Sequence, residues 1–173
     1  MLKSILPNIL TLLNLTFGVL AINAIYQEDL VLTAYLVVFS LVADFLDGLA
    51  ARLLGVHSEI GKQLDSLADV VSFGVSPGIF LFYLFQEAAQ SQSEPIPDFL
   101  PFLAFLIPLF AALRLAKFNI DTRQEDYFIG LPTPALTILV YALGFWALWS
   151  TNPVTSTIIF HPFLLTLLAV GGA

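Results

Sequence analysis

Six long apolar stretches decide what this chain can fold into. They cover residues 5–26, 30–54, 64–85, 99–118, 129–149 and 154–170, and short polar or proline-containing seams such as Gln27-Glu28-Asp29 and Ser150-Thr151-Asn152-Pro153 separate them. A bilayer core of about 30 Å is crossed by about 20 mostly apolar residues of helix, and each stretch is of that order. Of the 173 residues, 58% are hydrophobic and only 11% charged, against about 25% charged in an ordinary soluble domain. So few charges cannot cover a soluble surface. The expected fold is therefore an all-α integral membrane protein of six transmembrane helices, forming a single domain over residues 1–173.

The same arithmetic excludes other classes. Thirteen Asp+Glu outweigh six Lys+Arg for a net charge of −7, whereas a nucleic-acid partner calls for a basic face. With no cysteine, the chain has neither a disulfide framework nor thiolate chemistry. The first stretch has the Lys3, apolar run and small residues of a signal peptide, but Asn8 and Asn14 interrupt it and five more stretches follow.

The basic residues give an orientation. Lys3, Arg52, Lys62, Arg114, Lys117 and Arg123 all fall at the N-terminus, around the end of the second stretch or around the end of the fourth, which is one side of a six-span topology. The opposite seams hold Glu28, Asp29, Glu87, Glu94 and Asp98 and no basic residue. By the positive-inside rule, both termini and the second and fourth loops are expected in the cytoplasm. Tyr26, Tyr83 and Trp149 then fall near the outer interface and Tyr127 near the inner one, as an aromatic belt would. No inverted repeat of the kind found in transporters is visible.

Four aspartates stand against this apolar background. Asp44 and Asp47 are spaced i, i+3 in the second stretch, and Asp65 and Asp69 are spaced i, i+4 at the start of the third. Each pair lies on one helix face, and both pairs flank the same short loop. A charged residue at mid-bilayer costs about 2.5–3.5 kcal/mol or more, so such residues mark function. Two antiparallel helices bring four carboxylates toward one point, where they repel unless a cation joins them, and Arg52 and Lys62 are too few to neutralise four. Hard oxygen ligands in this number suit Mg²⁺, Mn²⁺ or Ca²⁺. Two plainer readings are solvated helix ends, natural for Asp65 alone, and a proton relay. Gly48, Ala50, Ala51, Gly55 and Gly61 surround the acids; they serve close helix packing or leave room for a ligand against the backbone.

Written out, Asp44-Phe45-Leu46-Asp47-Gly48-Leu49-Ala50-Ala51-Arg52, then Gly61, Asp65 and Asp69, resembles the signature of the CDP-alcohol phosphotransferases, matching all eight fixed positions over 26 residues. The resemblance implies six transmembrane helices, an active site open to the cytoplasm of the cell membrane, and a homodimer. It makes Asp44, Asp47, Asp65 and Asp69 the ligands of a divalent metal site, Mg²⁺ or Mn²⁺ and dinuclear, with Asp69 also the general base. It puts Gly48, Ala51, Arg52 and Gly61 against the CDP moiety. Ser58 in the intervening loop is within reach of the nucleotide, and Asn8 belongs to a stretch, Leu6-Pro7-Asn8-Ile9-Leu10-Thr11, that is similar to an N-terminal element of the family.

Three more stretches, Ser72-Phe73-Gly74-Val75-Ser76-Pro77, Arg114-Leu115-Ala116-Lys117-Phe118-Asn119 and Gly130-Leu131-Pro132-Thr133-Pro134, resemble the serine-using branch of that family. The implied substrates are CDP-diacylglycerol and L-serine, and the implied products phosphatidylserine and CMP. Arg114 and Lys117 share a face at i, i+3, enough for one serine carboxylate, though a positive-inside anchor has the same pattern. Glycerol 3-phosphate or an inositol phosphate, the acceptors of rival branches, calls for a denser basic pocket than this chain offers. The rival from another class is a cation or proton transporter; no acidic residue in the outer half of a span continues a path for it. Arg123, Asp121, Glu125 and Asp126 read as solvated loop.

Overall fold

The structure, a computed structural model, describes residues 2–56, 58–91, 97–120 and 132–149. In chain order these form α1 (Leu2–Tyr26), α2 (Leu30–Leu54), α3 (Glu59–Asp69), a π-helical turn (Val70–Val75), α4 (Ser76–Ser91), a 3-10 segment (Leu100–Phe105), α5 (Leu106–Ile120) and α6 (Thr133–Trp149). Four helical rods, Ser4–Tyr26, Leu30–Leu54, Glu59–Gln90 and Leu100–Ile120, are long and apolar enough to cross a membrane, and α6 is a shorter apolar helix of 17 residues. The expected span at 154–170 and the seam holding Asp121, Arg123, Glu125, Asp126 and Tyr127 lie outside the described residues.

The third rod differs from its expected bounds of 64–85. It starts at Glu59 and runs 32 residues, about 48 Å at 1.5 Å per residue, well over the bilayer core of about 30 Å. The Ser58 hydroxyl starts it by accepting the Gly61 amide at 3.2 Å, the arrangement of an N-cap. The polar first turns, with Glu59, Lys62 and Gln63, carry the helix past the apolar stretch, so hydropathy alone places the boundary too late.

The helices turn small and polar residues inward and large apolar ones outward. On α1, Thr11, Asn14, Ala21 and Ala24 are buried, while Ile5, Ile9, Leu12 and Val19 are exposed. On α2, Thr33, Ser40, Ala43 and Asp47 are buried, while Val31, Tyr35, Val38 and Phe45 are exposed. Lipid is as apolar as leucine, so helices in it gain by close approach and interhelical hydrogen bonds rather than by hiding large side chains. Gly18 shows how close the approach is: a Cβ there would lie 2.9 Å from the Ser72 Cα, with the Ser72 hydroxyl nearer still. Because backbone is in the way, Gly18→Ala is expected to push α1 off the π turn at a cost of about 1–3 kcal/mol. A lower midpoint of thermal unfolding in detergent would register it, and an unchanged midpoint would refute the close packing.

Between α3 and α4 the chain widens into a π turn in which the Ser76 amide donates back to the Val71 carbonyl. Such insertions leave backbone groups needing outside partners. Here Thr137 Oγ1 on α6 supplies one by donating to the Phe73 carbonyl at 3.1 Å, and the Ser72 side chain ties the turn to α1 by donating to the Asn14 carbonyl at 3.1 Å. Beyond the turn, Phe80, Leu84, Phe85, Ile107 and Val140 form an apolar core. Phe80 stacks on Tyr141 at 4.5 Å, and the Tyr141 hydroxyl shares a 2.6 Å hydrogen bond with Ser76. The bundle thus has an apolar half and, around the opposite ends of α1, α2 and α3, a polar one.

Candidate active site

The polar half is built by one tight reversal. Gly55 ends α2 in a left-handed conformation, φ 61°, which glycine adopts without strain. Its amide donates to the Arg52 carbonyl at 3.2 Å and the Val56 amide to the Ala51 carbonyl at 3.0 Å, a Schellman closure. Ser58 then opens α3, so two antiparallel helices face each other across a short loop. Asp47 and Asp65 lie on the loop side, and Asp44 and Asp69 lie deeper by roughly a turn, about 4.5–6 Å along their helices.

Asp44, Asp47 and Asp65 each offer a carboxylate oxygen, and these three oxygens lie within 4.8 Å of one another. Asp69 stands beside Asp44 and just outside that triad. Asp47 is 5% exposed, and its Oδ2 is buried with no hydrogen-bond partner. An orphaned anionic oxygen beside two further carboxylates is costly in low dielectric. A hard divalent cation resolves both the orphan and the repulsion, since carboxylate oxygens are its preferred ligands. The residues therefore fit a metal site.

The nucleotide candidates gather at the loop end. Asn8 Oδ1 lies 3.2 Å, and Ser58 Cβ 3.5 Å, from where a Gly61 side chain would begin, so only glycine leaves this space open. Arg52 Nη1 lies 3.7 Å from where a Gly48 side chain would begin, an ordinary contact distance. Arg52 is exposed and Ala51 half-buried. Ser58 proves to have a structural duty as the α3 cap, which leaves its hydroxyl proton available for a ligand.

The acceptor candidates sit on α5. Arg114 is half-buried and Lys117 exposed. The end of α5 is fastened to α3, since Lys62 Nζ donates to the Asn119 carbonyl at 3.2 Å and Asn119 Nδ2 donates to Ser66 Oγ at 2.9 Å. That brings the helix bearing Arg114 and Lys117 against the helix bearing Asp65. Sequence reasoning passed over Asn14, which here reaches Asp69, and over its partner Ser40. Their signal was present: Thr11, Asn14 and Gly18 repeat at helical spacing as the small and polar stripe of α1.

Fold and site together define a helical membrane protein with a carboxylate cluster suited to a metal ion at one end of its bundle. A profile of the CDP-alcohol phosphatidyltransferases matches residues 4–170, and the chain belongs to that family. It is 38% identical over 140 residues to a CDP-diacylglycerol–serine O-phosphatidyltransferase of Helicobacter pylori, covering 78% of this chain and 54% of that protein. A protein of the same name from Bacillus subtilis is 33% identical over 144 residues, 81% of this chain and 75% of the other. An archaetidylserine synthase of Methanothermobacter thermautotrophicus is 33% identical over 148 residues, 82% and 60% respectively. The chain thus spans about half the length of the Helicobacter relative.

Proposed function

We propose that this chain transfers the phosphatidyl group of CDP-diacylglycerol to the hydroxyl of L-serine, giving phosphatidylserine and CMP. The observation that carries a group-transfer reading is the orphaned Asp47 oxygen within the three-carboxylate cluster. The serine acceptor is supported by the serine named in all three relatives, two of them with diacylglycerol and one with an archaeal lipid.

Asp44, Asp47, Asp65 and Asp69 are the residues that would hold the metal, two ions of Mg²⁺ or Mn²⁺. When bound, the metal supplies charge neutralisation on the pyrophosphate oxygens of the donor. Asp69, outside the triad and so less engaged by it, takes the proton from the serine hydroxyl. The serine oxygen forms its bond to the phosphorus that carries the diacylglycerol, and the bond from that phosphorus to the bridging oxygen breaks, releasing CMP. Gly48, Ala51, Arg52, Ser58, Gly61 and Asn8 shape the nucleotide pocket, with Arg52 offering its planar fork of donors to a phosphate. Arg114 and Lys117 receive the serine carboxylate. The acyl chains stay in lipid, alongside the apolar outer faces of helices such as α1 and α2. The proposal includes a single catalytic domain over residues 1–173, a cytoplasmic site with both termini on that side of the cell membrane, and a homodimer.

The test is CMP release from CDP-diacylglycerol with a panel of labelled acceptors: serine, glycerol 3-phosphate and an inositol phosphate. Serine alone is expected to become lipid-bound. Incorporation of a phosphorylated alcohol instead would replace the acceptor, and metal or proton flux in liposomes without CMP release would replace the reaction. In the same assay Arg114→Ala is expected to raise the KM for serine by about tenfold, the loss of one charged hydrogen bond, with the KM for CDP-diacylglycerol little changed. An unchanged serine KM would remove Arg114 from the acceptor site.

A further inference from the structure

Behind Asp69 lies a closed group of buried polar atoms that no step of the proposed reaction touches. Asn14, in the middle of α1, is 0% exposed, and Ser40 on α2 is 2% exposed. Ser40 Oγ donates to Asn14 Oδ1 at 2.6 Å and lies 3.3 Å from the Asn14 carbonyl, which also accepts from Ser72 Oγ at 3.1 Å. On its other side Asn14 Nδ2 donates to Asp69 Oδ1 at 3.4 Å. The amide orientation follows from chemistry. Turned over, it would aim its oxygen at the Asp69 oxygen, acceptor against acceptor, whereas an ionised Asp69 demands a donor there.

We propose that Asn14, oriented by Ser40, is the positioning residue that fixes the Asp69 carboxyl within the metal cluster. This rests on the reading of Asp69 as metal ligand and base given above. Interhelical adhesion alone does not account for the side chain, because the Asn14 backbone carbonyl already accepts from Ser72 and a contact with Ser40 needs no amide donor turned toward Asp69. What the amide adds is one donor aimed at one carboxylate oxygen, held in place by the shortest hydrogen bond of the group. Buried amides of this kind are unfavourable in an apolar span unless all their partners are present. Partners that orient metal-ligating carboxylates are worth about 10- to 100-fold in metal affinity or activity.

The experiment compares wild-type protein with Asn14→Leu, which keeps the volume and removes the donor, and with Ser40→Ala, which frees the amide to turn. Purified protein in detergent is titrated with Mn²⁺ by electron paramagnetic resonance, and kcat and both KM values are taken from CMP release. Asn14→Leu is expected to weaken Mn²⁺ binding and lower kcat by about 10- to 100-fold, with both KM values within about twofold, the pattern of lost transition-state positioning. Ser40→Ala, which touches no carboxylate, is expected to move the same two quantities in the same direction and less far. Mn²⁺ affinity and kcat both unchanged in Asn14→Leu overturn the proposal; if that variant does not fold, unchanged values in Ser40→Ala overturn it. A wild-type protein that binds Mn²⁺ but makes no phosphatidylserine refutes the serine reading alone, and the Mn²⁺ affinity of Asn14→Leu still decides the role of Asn14.

Discussion

Asp69→Asn is expected to abolish turnover, by about 1,000-fold or more, in a protein that still extracts and elutes as the wild type does. The substitution is isosteric. The introduced amide can turn its oxygen toward Asn14 Nδ2, now 3.4 Å from Asp69 Oδ1, so the buried contact with α1 survives. What is lost is the oxygen proposed to take the serine proton, a contribution of about 10²–10⁴ in general-base catalysis, together with one proposed anionic ligand. Because the side chain sits beside Asp44 and outside the tight triad, the other three carboxylates still gather. The measurement is CMP release at saturating substrates with size-exclusion elution as the folding control. Turnover within tenfold of wild type would mean that another group accepts the proton.

Removal of divalent cations is the second large effect. Chelation is expected to reduce CMP release to background and added Mn²⁺ or Mg²⁺ to restore it, because three carboxylate oxygens within 4.8 Å otherwise face one another in low dielectric. Asp47→Asn sharpens the test. Its Oδ2 is the buried oxygen without a partner, so converting it removes a charge that only a cation compensates. The concentration of Mn²⁺ giving half-maximal rate is expected to rise by about tenfold or more. Full activity in excess chelator would exclude the metal from the reaction, and an unchanged Mn²⁺ requirement in Asp47→Asn would exclude that residue as a ligand.

The pairing of the carboxylates was legible in the sequence because helical spacing and a short intervening loop leave little freedom. Their division into a triad and an outlier was not. Spacings of i, i+3 and i, i+4 fix the face but also a difference in depth, and only the register of α2 against α3 tells that Asp44 meets both Asp65 and Asp69. Hydropathy found the rods but misplaced the start of the third, since the turns from Glu59 to Gln63 are helical without being apolar. It also could not say which side of a leucine-rich helix faces lipid. That information lay in the small and polar stripe of Thr11, Asn14 and Gly18, which apolar averaging hides. The Asn119 tie to Ser66 depends on tertiary contact and has no periodic signature, while the Ser58 cap is local, three residues from its Gly61 partner, but lies ahead of the apolar run that hydropathy reads.

The left-handed closure at Gly55 has an implication for how the chain comes together. Every carboxylate of the cluster, together with Asn8, Asn14, Ser40 and Arg52, is contributed by the first 69 residues, and α5 and α6 carry no acidic side chain. Bringing such near neighbours together costs little loop entropy. The three leading helices thus hold the whole carboxylate cluster between them, and the later helices brace the third rod through Thr137 and Asn119, with α5 adding the proposed acceptor residues Arg114 and Lys117.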